Sequence, residues 1–162
     1  MNEFRVPTVA VAVELIHADG RVEKGRVFVP PVAEHHSGAM RPDEWINAHE
    51  PFFPFLPDGA QRAWLVNKGQ VVCVSVAVDP SQTCEGDPRK VEVCCGERSW
   101  QGEVWIAEEV GHRRVQDHLN RPDAFLSLRD VDRSHLIQKS HVTRVTELEE
   151  PGVPGKDSAS SA

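Results

Sequence analysis

Histidine and cysteine are the residues of this chain best suited to bind a metal or attack a substrate, and neither is spaced for it. There are eight histidines and four cysteines, and His35-His36 is the densest group. A zinc site needs four ligands converging at defined spacings, such as paired Cys-x-x-Cys, and no such pair occurs. Cys73 lies in an apolar strand run and Cys84 in a linker. Cys94 and Cys95 are adjacent, so on a strand they point to opposite faces, and a bond between them would need unusual geometry. Reduced thiols in a reducing compartment are the simpler account. Neither Gly-x-Ser-x-Gly nor Gly-x-x-x-x-Gly-Lys is present. The paired acids Glu108-Glu109 and Glu149-Glu150 read as solvated. The expectation is a protein that is not an enzyme and carries no metal and no cofactor.

What the chain does contain is a set of polar residues at matched positions. Val13–Ser75 reads, with a few loop trims, like Val91–Thr146. Within that alignment Gly25-Arg26-Val27-Phe28-Val29 answers Gly102-Glu103-Val104-Trp105-Ile106. Leu65-Val66-Asn67-Lys68-Gly69-Gln70-Val71 answers Leu136-Ile137-Gln138-Lys139-Ser140-His141-Val142. Arg41 then answers Arg114, Asn47 answers Asn120, and Lys68 answers Lys139. A residue that both units need should appear in both, which makes these six the candidate binding set. No histidine recurs: His118 answers Trp45, His135 answers Trp64 and His141 answers Gln70. Each of the six also has a structural reading. Asparagine can hold a turn by bonding its own backbone, arginine can pair with neighbouring carboxylates, and a hairpin lysine can be solvated.

The elements around these residues read as short strands. Val9–Ile16 alternates and is rich in β-branched residues. Asp19-Gly20 makes a hairpin turn, and Arg21–Val29 returns as the second strand. Gly25 and Gly102 interrupt matched strands, which predicts a bend or bulge that helps a small sheet curl closed. Residues 42–50 read equally as a short helical turn, started by Pro42 and stopped by Pro51, or as the irregular start of a strand. Ala63–Val66 and Gln70–Val78 read as a closing hairpin around Asn67-Lys68-Gly69. Trp45, Phe52, Phe53, Phe55 and Trp64 exceed what one tiny barrel needs. They suit a protein contact or the seam between two units, with Trp45 and Phe53 added to the candidate binding residues.

This order of features resembles the Sm-like family. There a first motif ends in Asp-x-x-Met-Asn, and a second is an apolar residue, Arg-Gly and a closing apolar strand. Asp43-Glu44-Trp45-Ile46-Asn47 and Val66-Asn67-Lys68-Gly69-Gln70-Val71 match these, with Lys68 in place of arginine. The second copy departs, with Gln116 in place of aspartate and Ser140 in place of Gly69. The resemblance implies a base-binding pocket made of Asn47, Lys68 and Gly69 in one unit and Asn120 and Lys139 in the other. The chain is also similar to small bacterial domains of unknown function that share an Arg-x-x-Asp-x-Leu-Asn…Phe…Asn-Lys-x-x-Ile pattern, which carry no activity to transfer.

The expected architecture is therefore all-β: two tandem small SH3-like or Sm-like barrels packed face to face in a pseudo-twofold relation. The first repeat spans 1–78, a linker 79–90, the second repeat 91–148 and a disordered tail 149–162. Units of about 60 residues are marginal alone, so each should shield the other. Net charge is −7, with 7 Lys+Arg against 10 Asp+Glu in residues 1–82 and 11 against 15 in 83–162. Neither half offers the basic footprint of a nucleic-acid binder, and no run approaches the roughly 20 apolar residues of a membrane span. The expected function is a cytoplasmic adaptor or assembly module that binds another protein or its own copies through barrel edges and the segment Trp45–Leu56. Alternatives are an Sm-like RNA binder and a small-ligand or signalling-nucleotide sensor in the cleft between repeats.

Overall fold

The computed structural model describes residues 8–33, 38, 40–79, 84–107 and 114–148. The expectations for His35-His36, residues 80–83 of the linker, Glu108-Glu109 and the tail 149–162 lie outside the described residues. What is described is all-β, with two five-residue helices. The first half runs β1 (Val9–His17), β2 (Val22–Val29), α1 (Pro42–Ile46), β3 (Phe52–Pro57), β4 (Trp64–Asn67) and β5 (Val71–Ala77). The second runs β6 (Asp87–Cys95), β7 (Arg98–Ile106), α2 (Val115–Leu119), β8 (Phe125–Arg129), β9 (Arg133–Gln138) and β10 (Arg144–Glu147). Single 3-10 turns at Lys68–Gln70 and Lys139–His141 precede β5 and β10. The ambiguous segment is thus helical in both halves, each helix starting right after the matched arginine. β6 begins at Asp87, inside the stretch expected to be linker.

All ten strands join one antiparallel sheet in the order β10-β6-β7-β8-β9-β5-β1-β2-β3-β4. The first half is ordered β5-β1-β2-β3-β4, and the second has the same internal order, β10-β6-β7-β8-β9. The halves meet where β9 pairs with β5, Val74 opposite Leu136 and Ser75 opposite His135. Three expectations are corrected here. The hairpin around Asn67-Lys68-Gly69 does not form, because the 3-10 turn sends β5 away from β4 to pair with β1 and β9. The sheet is not closed, and β4 and β10 are its outer edges. The halves also meet edge to edge rather than face to face. β9 corresponds to β4 and not to β5, so unlike edges are joined, and the relation is head to tail rather than twofold.

Gly25 and Gly102 are explained by proximity. The β1–β2 register runs through Val13 opposite Gly25 without a shift. A Cβ on Gly25 would lie 2.2 Å from the Leu56 carbonyl oxygen, and one on Gly102 would lie 2.5 Å from that of Arg129. Both glycines let the next strand's backbone press against them.

Two cores result, and each borrows from the other half. Leu15, Val27, Ile46, Phe53 and Phe55 form the first, completed by Phe125 and Leu136. Val91, Val93, Val104, Ile106 and Leu128 form the second, completed by Ile16, Val72 and Cys73. β5 is buried over Val71–Val76 because it sits between the two cores. Burial raises the Cys73 thiol to about 12 and the Cys95 thiol to about 11, so both are packing groups at neutral pH. All four cysteines are free thiols.

Candidate functional site

Five of the six matched polar residues fasten the fold around the two helices. Arg41 precedes α1, where its backbone N–H donates to the Glu44 carboxylate at 2.8 Å and its guanidinium reaches Asp43 at 3.3 Å. Arg114 does the same before α2, its guanidinium donating to both oxygens of Asp117 at 3.0 and 3.1 Å. Lys68 reaches back to the Ala48 carbonyl just past α1, 2.8 Å from Nζ. Lys139 reaches the matching Arg121 carbonyl past α2 at 3.0 Å. Partial burial lowers the pKa of both lysines, opposed by Glu50 and Asp123 respectively. Gly69 donates its N–H to Asn67 Oδ1 at 2.9 Å. Trp45 and Phe53 are buried and meet edge to face at 5.0 Å. Within the Trp45–Leu56 segment, expected as a contact surface, alternation along β3 turns Phe53 and Phe55 inward and leaves Phe52 outside.

The matched asparagines differ. Asn47 joins the halves: its Oδ1 accepts the Phe125 N–H at 2.8 Å, and its Nδ2 donates to the carbonyls of Phe125 at 3.4 Å and Asp43 at 3.0 Å. Asn120 is exposed, and its side chain makes no hydrogen bond among the described residues. Around Asn47 the seam gathers residues outside the matched six, of which Gln138 and His141 do not recur between halves. Gln138 Nε2 donates to the Lys68 carbonyl at 2.6 Å, His141 Nε2 lies 3.0 Å from the Gly69 carbonyl, and Arg133 donates to the Ser75 carbonyl at 3.0 Å. Looking for shared residues passed over these, since only one of the two β4-like edges is covered. The available signal was the mismatch itself, histidine at 135 and 141 against Trp64 and Gln70.

Ser75 Oγ and His135 Nδ1 are 2.7 Å apart, and His135 Nε2 is 4.0 Å from Asp130. Serine, histidine and aspartate in that order have the roles of a nucleophile, a base and its orienter. Ser75, however, is 2% exposed, in a strand paired on both sides, so no substrate carbonyl can reach Oγ. Burial lowers the His135 pKa, with Asp130 opposing and Arg133 assisting. A folded-state pKa below the ordinary 6.5 favours the neutral ring. The seam's contribution is then complete above that pH and is lost as pH falls through the lower folded value. Thermal midpoints followed from neutral pH into the acid range should fall more steeply for the wild type than for His135→Gln; parallel slopes would exclude His135 as the cause.

A cavity of about 810 Å³ is lined by Cys84, Lys90, Glu103, Trp105, Arg129 and Asp130 among others. Among the described residues its lining comes from 84–148, so it is not a cleft between the halves. Among the described residues, no group of three or more His, Cys, Asp or Glu could hold a metal, and no helix is long and apolar enough to cross a membrane.

Phe52, Trp64 and Leu65 are large apolar residues exposed on β4 and at the start of β3, Phe52 and Leu65 on one face of the sheet and Trp64, opposite Phe55, on the other. Comparison with protein-family models, curated proteins and solved structures finds no match for this chain.

Proposed function

We propose that the chain is a tandem pair of small β units joined in one sheet, acting as a non-enzymatic cytoplasmic assembly module that binds another protein or its own copies through its outer strands. The observation carrying this reading is the β4 edge. Among the described residues it has a hydrogen-bonded neighbour on one side only, and it displays Trp64 and Leu65, the latter 74% exposed. An apolar edge with unused backbone groups is the surface that strand addition uses. The RNA reading would need the Asn47 carboxamide and the Lys68 ammonium for a base, and both are already bonded to protein carbonyls.

The deciding experiment is affinity capture from native lysate, scored together for protein and nucleic acid, with the wild type beside Leu65→Lys. Protein or self-capture that Leu65→Lys abolishes is the expected outcome. Salt-sensitive retention of a uridine- or adenine-rich oligonucleotide, lost in Lys68→Ala with Lys139→Ala, would transfer the assignment to RNA binding.

A further inference from the structure

The join between the halves uses one edge of each and leaves the corresponding edge of each unused. β5 receives β9, so the second half's counterpart of β5, which is β10, and the first half's counterpart of β9, which is β4, are left outermost. We propose that β4 of one chain adds to β10 of another in the register of the internal join, so that identical chains associate head to tail. This rests on the assembly-module reading and names its partner as a second copy.

Three observations converge on that occupant. First, apolar residues exposed on β4 and at the start of β3 correspond to buried residues at the join. Phe52, Trp64 and Leu65 are 52%, 42% and 74% exposed, whereas Phe125, His135 and Leu136 are 3%, 9% and 1% exposed. A surface covered at one place by this chain's own second half is shaped to be covered by the same kind of strand. Second, the clamp is duplicated but used once. Asn47 grips the Phe125 backbone, while Asn120 stands exposed on the half that presents β10. Head-to-tail addition places it against Phe52 of the next chain.

Third, the transferred register is chemically sound. Val74 opposite Leu136 and Ser75 opposite His135 become Val145 opposite Leu65 and Thr146 opposite Trp64. β-branched residues against large apolar ones are favourable cross-strand pairs. Arg62 takes the place of Arg133, which donates to the Ser75 carbonyl, and so faces the Thr146 carbonyl beside Glu147. β10 is only four residues long and carries Arg144 and Glu147, which makes this contact weaker than the internal one and the association concentration-dependent. Repeating a contact between unlike edges generates a ring or an open filament, depending on whether the rotation closes.

The test is sedimentation velocity on the full chain over a wide concentration range. The wild type should associate, and Leu65→Lys and Val145→Lys should each weaken self-association by at least about tenfold. Mixing the two variants should give a discrete one-to-one dimer, because each retains the edge the other lacks. Asn120→Ala should weaken association without moving the thermal midpoint, and the midpoints of the two lysine variants, measured beside it, show whether they remain folded. If Val145→Lys associates as well as wild type while Leu65→Lys does not, β4 pairs with β4 and the proposal fails. A wild-type chain that stays monomeric at every concentration also overturns it. Capture of a different protein, released by Leu65→Lys, would then leave the assembly-module reading standing, and its absence would remove both.

Discussion

Leu136→Ala is expected to cost about 2–5 kcal/mol of unfolding free energy, the range for truncating a fully buried leucine that leaves a cavity. Leu136 lies on β9 in the second half, yet it is packed into the first half's core, opposite Val74 of β5. The loss should therefore appear in both halves together, as one cooperative transition displaced to lower denaturant. Urea unfolding followed by tryptophan fluorescence and by far-ultraviolet circular dichroism reads this, because Trp45 and Trp100 report on different halves. Leu65→Ala alters the corresponding position on β4, and there the change should stay within about 0.5 kcal/mol, as for other exposed sites. Two separated transitions, or a Leu136→Ala cost as small as that of Leu65→Ala, would mean that the halves do not share their cores.

Gly25→Ala should cost about 1–3 kcal/mol, the usual penalty for forcing extra volume into a packed site. The added Cβ would lie 2.2 Å from the Leu56 carbonyl oxygen and 2.7 Å from the Phe55 ring. Backbone on one side and a fully buried ring on the other leave no flexible neighbour to yield. Gly102→Ala should behave alike, with its Cβ 2.5 Å from the Arg129 carbonyl oxygen. Gly69→Ala is the control, since its Cβ would meet only Asn67 Oδ1 at 3.3 Å. Thermal midpoints of the three variants check the ranking. An unchanged midpoint for Gly25→Ala would show that β2 and β3 can separate at no cost, which would undermine the account of these glycines.

Much of the local structure was legible in the residues. Alternation over Val9–Ile16, the Asp19-Gly20 turn and the β-branched run from Val71 to Val76 mark strands, because side chains on a pleated backbone face opposite sides in turn. The correspondence between Gly25 and Gly102, or between Lys68 and Lys139, was also readable, and the structure places each pair in the same local setting. Residues 42–46 and 115–119 were not decidable, because five residues are too few to distinguish a helical period from a strand period.

The candidate site was legible only in part. Shared residues led to Arg41 and Lys68, which hold the ends of the first helix, and to Asn47, which also joins the halves, whereas His135, Gln138 and His141, which join them too, are residues that differ. A search for common function passes over an interface that one copy makes and the other leaves open.

Composition and pattern determined that the chain builds β-strands around apolar interiors, since burial and pleat periodicity are local properties of the residues. Which strands become neighbours was decided by the tertiary structure alone. β5 satisfies its hydrogen bonds equally well beside β4 or beside β9, sixty or so positions away, and its two buried faces are filled only in the second arrangement. That choice turned an expected pair of facing barrels into one continuous sheet and left β4 and β10 as its edges.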